Sequence, residues 1–225
     1  MMKLLKTYVG EFIHLEFLGK KEVSGVLVDF GSDVLVLRKQ DEFYYIPLFH
    51  IREIRLLSKE EADSFTQFDA ITAPPLADKL SLIEILRAAE KGIFVELNVT
   101  AHQPVHGHIT HVMNDYIVLF SPVYQTMIIP MQHIKWLIPY PASSHPYGFS
   151  QSIRQEPNAP VKLFARTFDK QIESMQGAFI TCNIGDKESV SGKLIHKEAN
   201  FLDLMTVKEK DVHVNVHHIK AIAYR

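Results

Sequence analysis

Four of the chain's 12 histidines crowd one segment, His102, His106, His108 and His111 in AHQPVHGHITHV, and neutral imidazoles are ligands that transition metals take readily. The spacing opposes a closed site. His106 and His108 share one strand face at period 2, and His111 points the other way. No Asp or Glu in the segment could orient a ligand through a second bond. The four read as solvent-facing strand positions, and no metal is expected. In DVHVNVHHI, His213 and His217 fall in register on one face, as an ordinary edge strand would place them. For acid/base or nucleophilic work, the carboxylates Asp29, Asp33, Asp41 and Glu42 have no counterparts at all matching positions along the chain, and no Ser/His/Asp set can be assembled. The phosphate-cradling patterns Gly-x-x-x-x-Gly-Lys and Gly-x-Gly-x-x-Gly are absent. Neither catalytic residues nor a cofactor are expected. The single cysteine, Cys182, excludes an internal disulfide framework and a multi-thiolate zinc site; within the strand-like run Ala178 to Ile184 it reads as a buried free thiol.

The composition narrows the class further. The chain has 225 residues, with 24 Lys and Arg against 26 Asp and Glu, a formal net charge of -2, and 47% hydrophobic residues. That balance suits a folded protein with a core and excludes a polybasic or disordered one. The longest apolar runs, such as Met127 to Met131, fall far short of the ~18 residues a membrane helix needs. Met1 to Gly10 lacks an apolar signal-peptide core, so synthesis in the cytoplasm without a signal peptide, and no membrane, are expected.

The elements that would position any site emerge when the chain is compared with itself. Fifteen residues after Gly10, Gly92 and Gly177 stand Gly25, Gly107 and Gly192; eight further on stand Asp33, Asp115 and Asn200; and three His-Ile dipeptides follow at His50, His133 and His218. From the second glycine to the histidine the spacing is 25, 26 and 26 residues, which reads as a threefold internal repeat. Each repeat opens on a short amphipathic helix, clearest over 78–91, where Leu82, Ile85, Leu86 and Ala89 follow helical spacing before Gly92. Five period-2 runs come next, in the first repeat Glu11 to Phe17, Val23 to Phe30, Val34 to Lys39, Phe43 to Pro47 and His50 to Leu56. A flat sheet of five short strands cannot bury its apolar face in about 60 residues, so a mainly β architecture of small bent barrels is expected.

These segments resemble the Sm-like fold, through VSGVLVDFGSDVLVLRK with YYIPLFHIREI, VHGHITHVMNDYIVLF with MIIPMQHIKWL, and VSGKLIHKEANFLDLM with VNVHHIKAI. The resemblance implies three tandem Sm-like domains of SH3-type small-barrel form, each a short N-terminal helix plus a five-stranded bent antiparallel sheet, over 1–57, 79–140 and 161–225, with linkers at 58–78 and 141–160. Such a chain is also similar to the N-terminal region of the spore coat protein B family, without that family's Ser-, Lys- and Arg-rich tail. It implies a non-enzymatic structural or scaffolding protein of the bacterial spore coat. The partners implied are the chain itself, as a homodimer or higher assembly, and other coat proteins. The nine signature residues are read as structural: Gly25, Gly107 and Gly192 at strand bends, Asp33, Asp115 and Asn200 bonding local hairpin backbone, and His50, His133 and His218 fixing a tight corner. The alternative is an RNA-binding Sm-like protein. Against it, Phe49, Gln132 and His217 stand where RNA-binding relatives place a cation, and the near-neutral charge offers little to phosphate.

Overall fold

Apolar alternation becomes alternation of burial in the computed structural model, which describes residues 2–19, 21–63, 76, 80–100, 103–141, 143–144, 146–148, 163–208 and 211–224. Five strands come first: β1 (Phe12–Phe17), β2 (Glu22–Phe30), β3 (Val34–Lys39), β4 (Glu42–Pro47) and β5 (Ile51–Leu56). Five more are β6 (Phe94–Asn98), β7 (Val105–Val112), β8 (Tyr116–Ser121), β9 (Gln125–Pro130) and β10 (Trp136–Pro139). The last are β11 (Phe179–Cys182), β12 (Val190–Glu198), β13 (Phe201–Met205), β14 (Asp211–Asn215) and β15 (Ile222–Tyr224). The described helices are α1 (Met2–Tyr8), α2 (Lys59–Asp63), α3 (Leu82–Glu90) and α4 (Phe168–Ser174). Along β1 every second side chain, Ile13, Leu15 and Phe17, is buried, whereas β3 and β8 are buried almost throughout, as strands covered on both faces are. The helix expected over 78–91 is α3, which buries Leu82, Ile85, Leu86 and Ala89; residues 78 and 79 lie outside the described residues. Of the expected linkers, 58–78 contains α2 and 141–160 a 3-10 turn at Pro146–Gly148; 64–75, 77–78 and 149–160 lie outside the described residues.

The chain falls into two compact units, one of Met1–Ala89 with Lys135–Pro139, the other of Glu90–Ile134 with Tyr140–Arg225. In the first, the strand order is β10-β4-β3-β2-β1-β5. Its core gathers Leu5 of α1 with Ile13, Leu15, Leu27 and Leu37, and Trp136 and Ile138 of β10 belong to the same cluster. The Trp136 ring lies 5.3 Å from that of Phe17, with the Lys21 ammonium 5.3 Å from its centroid. In the second unit the order is β14-β13-β12-β11-β15-β9-β8-β7-β6. There Tyr116, Val118 and Ile128 share one cluster with Phe168 and Ile172 of α4 and with Ile180, Leu204 and Ile222.

These pairings correct the fold expectation. The fifteen strands form one open sheet and not three separate, closed Sm-like barrels. The reason lies in what the edge strands pair with. β10 hydrogen-bonds β4, with Leu137 opposite Tyr45, and β15 hydrogen-bonds β9 through three residue pairs from Ile222↔Ile128 to Tyr224↔Thr126. Strands expected to complete separate barrels therefore extend a neighbouring sheet, and in the second unit they share its hydrophobic core. The descriptors small barrel, tandem repeat and spore coat do not match this single open sheet.

The three signature glycines sit where strands touch. Gly25, Gly107 and Gly192 lie opposite Ile13, Val95 and Ile180 in β2, β7 and β12. A Cβ there would stand 2.6, 2.2 and 2.6 Å from the carbonyl oxygens of Arg38, Phe120 and Met205, too close for any side chain. Each strand then shifts register, between Leu27 and Asp29, Ile109 and His111, and Leu194 and His196, and such bulges strengthen the bend.

Ile222 is fully buried both at the β15–β9 pairing and in the cluster of the second unit. Ile222→Ala is expected to cost about 2–5 kcal/mol. Amide hydrogen exchange should accelerate together in β9 and in β11; protection lost in β11 alone would contradict a shared core.

Candidate functional site

The hairpin acids act at longer range than expected. The backbone carbonyls of Asp33, Asp115 and Asn200 accept from Leu48, Met131 and Val216, the first residues of three 3-10 turns, at 2.8, 2.9 and 2.8 Å. The side chains of the two aspartates reach further along the chain. Asp33 Oδ1 accepts from the amide of Leu82, the first residue of α3, at 3.1 Å, and Asp115 Oδ1 from that of Phe168, the first residue of α4, at 2.8 Å. A carboxylate suits a helix start, because the first amides lack partners and carry partial positive charge. Asn200 is exposed and is followed by no described helix. For Asp33 and Asp115 the side chain thus ties a hairpin to the next helix. Beside it the Tyr116 hydroxyl donates to Ala165 O at 2.6 Å, and burial pushes its pKa up to about 12.

His50, His133 and His218 end the three 3-10 turns, yet their surroundings differ. His50 is half-buried with its ring 4.3 Å from that of Phe49; His218 is exposed. His133 is half-buried and bonds the backbone of His217. Burial first, then the charge of Lys220, lowers its pKa to about 4, so the ring is neutral at pH 7. The corners themselves are held through main chain. Leu18 N donates to His50 O at 3.2 Å, and Asn183 Nδ2 to His218 O at 3.1 Å. Asn183 Oδ1 also accepts from Lys220 N at 2.7 Å, while Lys220 Nζ pairs with Asp186 at 2.7 Å. Sequence reading passed over Asn183. Its signal is the turn residue pair Asn183 and Gly185, both at positive φ, 54° and 80°.

Of the histidines expected to face solvent, His111 is exposed, whereas two others are partly covered. His106 and His108 are half-buried, and Phe94 lies edge-on to His108 at 5.1 Å. His106 Nδ1 lies 3.2 Å from the Tyr140 hydroxyl and 3.9 Å from Glu96, its partner across the β6–β7 ladder, so the neighbouring strand supplies the carboxylate that the segment lacks. Burial lowers the His106 pKa. His111 faces elsewhere, with Phe164 at 4.8 Å, and His102 lies outside the described residues. Another grouping is legible only through register. Ligand atoms of His14, Glu16 and Glu22 lie within 4.8 Å of one another on β1 and β2, His14 Nδ1 being 2.8 Å from Ser24 Oγ. Glu16 is already paired with Arg52, so a metal would compete with a guanidinium.

A third polar row crosses β12, β13 and β14, where His196 stands opposite Asp203 and Asp203 opposite His213. His196 Nε2 is 3.1 Å from Asp203 Oδ2, and His213 bonds the other oxygen. That bond and the charge of Asp203 raise the His213 pKa. Cys182 is buried with its pKa pushed up to about 12 by burial, which leaves a thiol without nucleophilic character at neutral pH.

The feature open to a partner is backbone. Among the described residues β5 pairs only with β1 and β14 only with β13, at the two ends of the strand order. Their side chains mix apolar and charged groups: half-buried Ile51 and Ile54 with exposed Arg52, Glu53 and Arg55 on β5, half-buried Val212 and Val214 with exposed Asp211 and His213 on β14. Charges of this kind protect an edge against indiscriminate pairing while leaving its amides and carbonyls available. No described helix is long and apolar enough to cross a membrane.

The comparisons with known proteins differ in scope and name no activity. A family described as the YwrJ third domain matches residues 167–222. The chain is similar, at 29% identity over 98% of its length and 99% of the relative's, to the uncharacterized protein YwrJ of Bacillus subtilis (strain 168). No solved structure matches.

Two measurements check this geometry. Asp115→Ala should lower stability by about 1 kcal/mol through loss of the bond to the first turn of α4. Asp115→Asn should retain most of it in thermal denaturation, and Asn200→Ala should show no comparable loss. In NMR titration His213 should deprotonate above the ordinary histidine value of about 6.5, and Asp203→Asn should bring it back down. Because the folded-state value is the higher one, the pairing contributes fully below about pH 6.5 and is lost as pH rises through the folded value.

Proposed function

We propose that the protein is a non-enzymatic scaffold that works through protein–protein contact along the edges of its sheet. The observation that carries this reading is the pair of end strands β5 and β14, each hydrogen-bonded on one side only among the described residues. An exposed strand edge offers a row of directional donors and acceptors, which another strand completes without any pocket or cofactor. The polar clusters support it as well. Glu16 is engaged by Arg52, Asp203 by two imidazoles and Asp186 by Lys220, so these carboxylates serve cross-strand and loop ties.

Nucleic acid is the competing partner, and its binding would be dominated by phosphate contacts and would weaken steeply with salt. Fluorescence anisotropy with uridine-rich and adenine-rich RNA should show no saturable binding above the weak background at low salt. Tight, saturable RNA binding that persists at ~150 mM salt would replace the scaffold reading with an RNA-binding one.

A further inference from the structure

We infer that the partner of the β14 edge is the β5 edge of a second copy of this chain, joined antiparallel in a defined register. This rests on the scaffold reading above and names its partner. The motive is a pairing that each unit already makes internally. In the first unit Leu137, four residues after His133, stands opposite Tyr45, five residues before His50. In the second unit Ile222, four residues after His218, stands opposite Ile128, five residues before His133. Two independent pairings thus share one offset from the His-Ile dipeptide. In both, the paired side chains are buried, at 0% exposure for Leu137, Ile222 and Ile128 and 1% for Tyr45.

β5 and β14 are the strands at the same offsets that have no such partner among the described residues. Applying the offset to them puts Ile54, four residues after His50, opposite His213, five residues before His218. Arg55 then faces Val212, and Leu56 faces Asp211. Charge agrees with this union. β5 carries Arg52 and Arg55 against one Glu53, and β14 carries Asp211 next to the residue that Arg55 meets. Pairing also covers the half-buried Ile54, Val212 and Val214. Like β10 on β4 and β15 on β9, the added strand completes a hydrogen-bond ladder in a single register, because a slip by one residue would turn every side chain to the opposite face.

The test mixes two full-length variants, Arg55→Cys and Val212→Cys, under mild oxidation. Paired residues on antiparallel strands stand about 4.5–5.5 Å apart at Cα, within disulfide range. A cross-linked species of two chains is expected from this mixture and not from either variant alone, since Cys182 is buried. Ile54→Cys mixed with Val212→Cys, one residue out of register, should not cross-link. Light scattering behind size exclusion on the unmodified 25.8 kDa chain should give a concentration-dependent mass of two chains or more at tens of micromolar. A mass of one chain at every concentration, cross-linking by the mismatched pair, or a dimer that the matched pair fails to trap would each overturn the β5–β14 union. Those results leave the scaffold reading itself standing, because that reading falls to tight RNA binding instead.

Discussion

Strand edges must find hydrogen-bond partners, and much of this architecture follows from how they do so. A strand at the end of a short sheet leaves alternate amides and carbonyls unpaired, and burying them without partners would cost more than the apolar contacts nearby could offset. The chain meets this demand by lending strands. β10 completes the edge of β4 in the first unit, and β15 completes the edge of β9 in the second. Once lent, a strand brings its apolar face with it, so Trp136 and Ile138 enter the core around Ile13 and Leu37, and Ile222 enters the core around Tyr116 and Ile128. Separate barrels are incompatible with that exchange.

Holding such edges in register requires rigid corners, and the signature residues supply them by different means. Gly25, Gly107 and Gly192 allow adjacent backbones to approach more closely than any side chain permits, and the bulges that follow turn the strands. Asp33 and Asp115 receive the 3-10 turn on their carbonyls and a later helix on their carboxylates, so one residue ties three elements. The histidines end the turns, but their rings share no common role: His133 bonds backbone, His50 packs beside Phe49 and His218 is exposed. What recurs at those corners is main-chain geometry, with Leu18 and Asn183 holding the carbonyls of His50 and His218.

The polar side chains obey the same ladders. Glu96 meets His106, and Asp203 meets His196 and His213, because residues directly opposite on neighbouring strands share a face. These rows order the exposed surface and set protonation states locally. Burial keeps His133 neutral, whereas the carboxylate beside His213 favours its charged form.

Local pattern was enough to place the strands of the first segment within one residue of where they lie, to locate α3 through the spacing of Leu82, Ile85, Leu86 and Ala89, and to mark Cys182 as a buried thiol. Those properties depend on periods of 2 and 3.6 residues that a few neighbours reveal. Pairing between strands distant in sequence has no such signature. Nothing in WLIP distinguishes a strand that closes its own sheet from one that joins β4, because the amides and carbonyls that decide it are, proline's missing N–H aside, the same in every residue. For the same reason the reach of Asp33 to Leu82, the meeting of Glu96 with His106, the grouping of His14 with Glu22 and the half-burial of His106 and His108 were settled only by the tertiary structure. In each the decisive distance runs between strands or from a hairpin to a helix start, and register and chain path set that distance where local composition cannot.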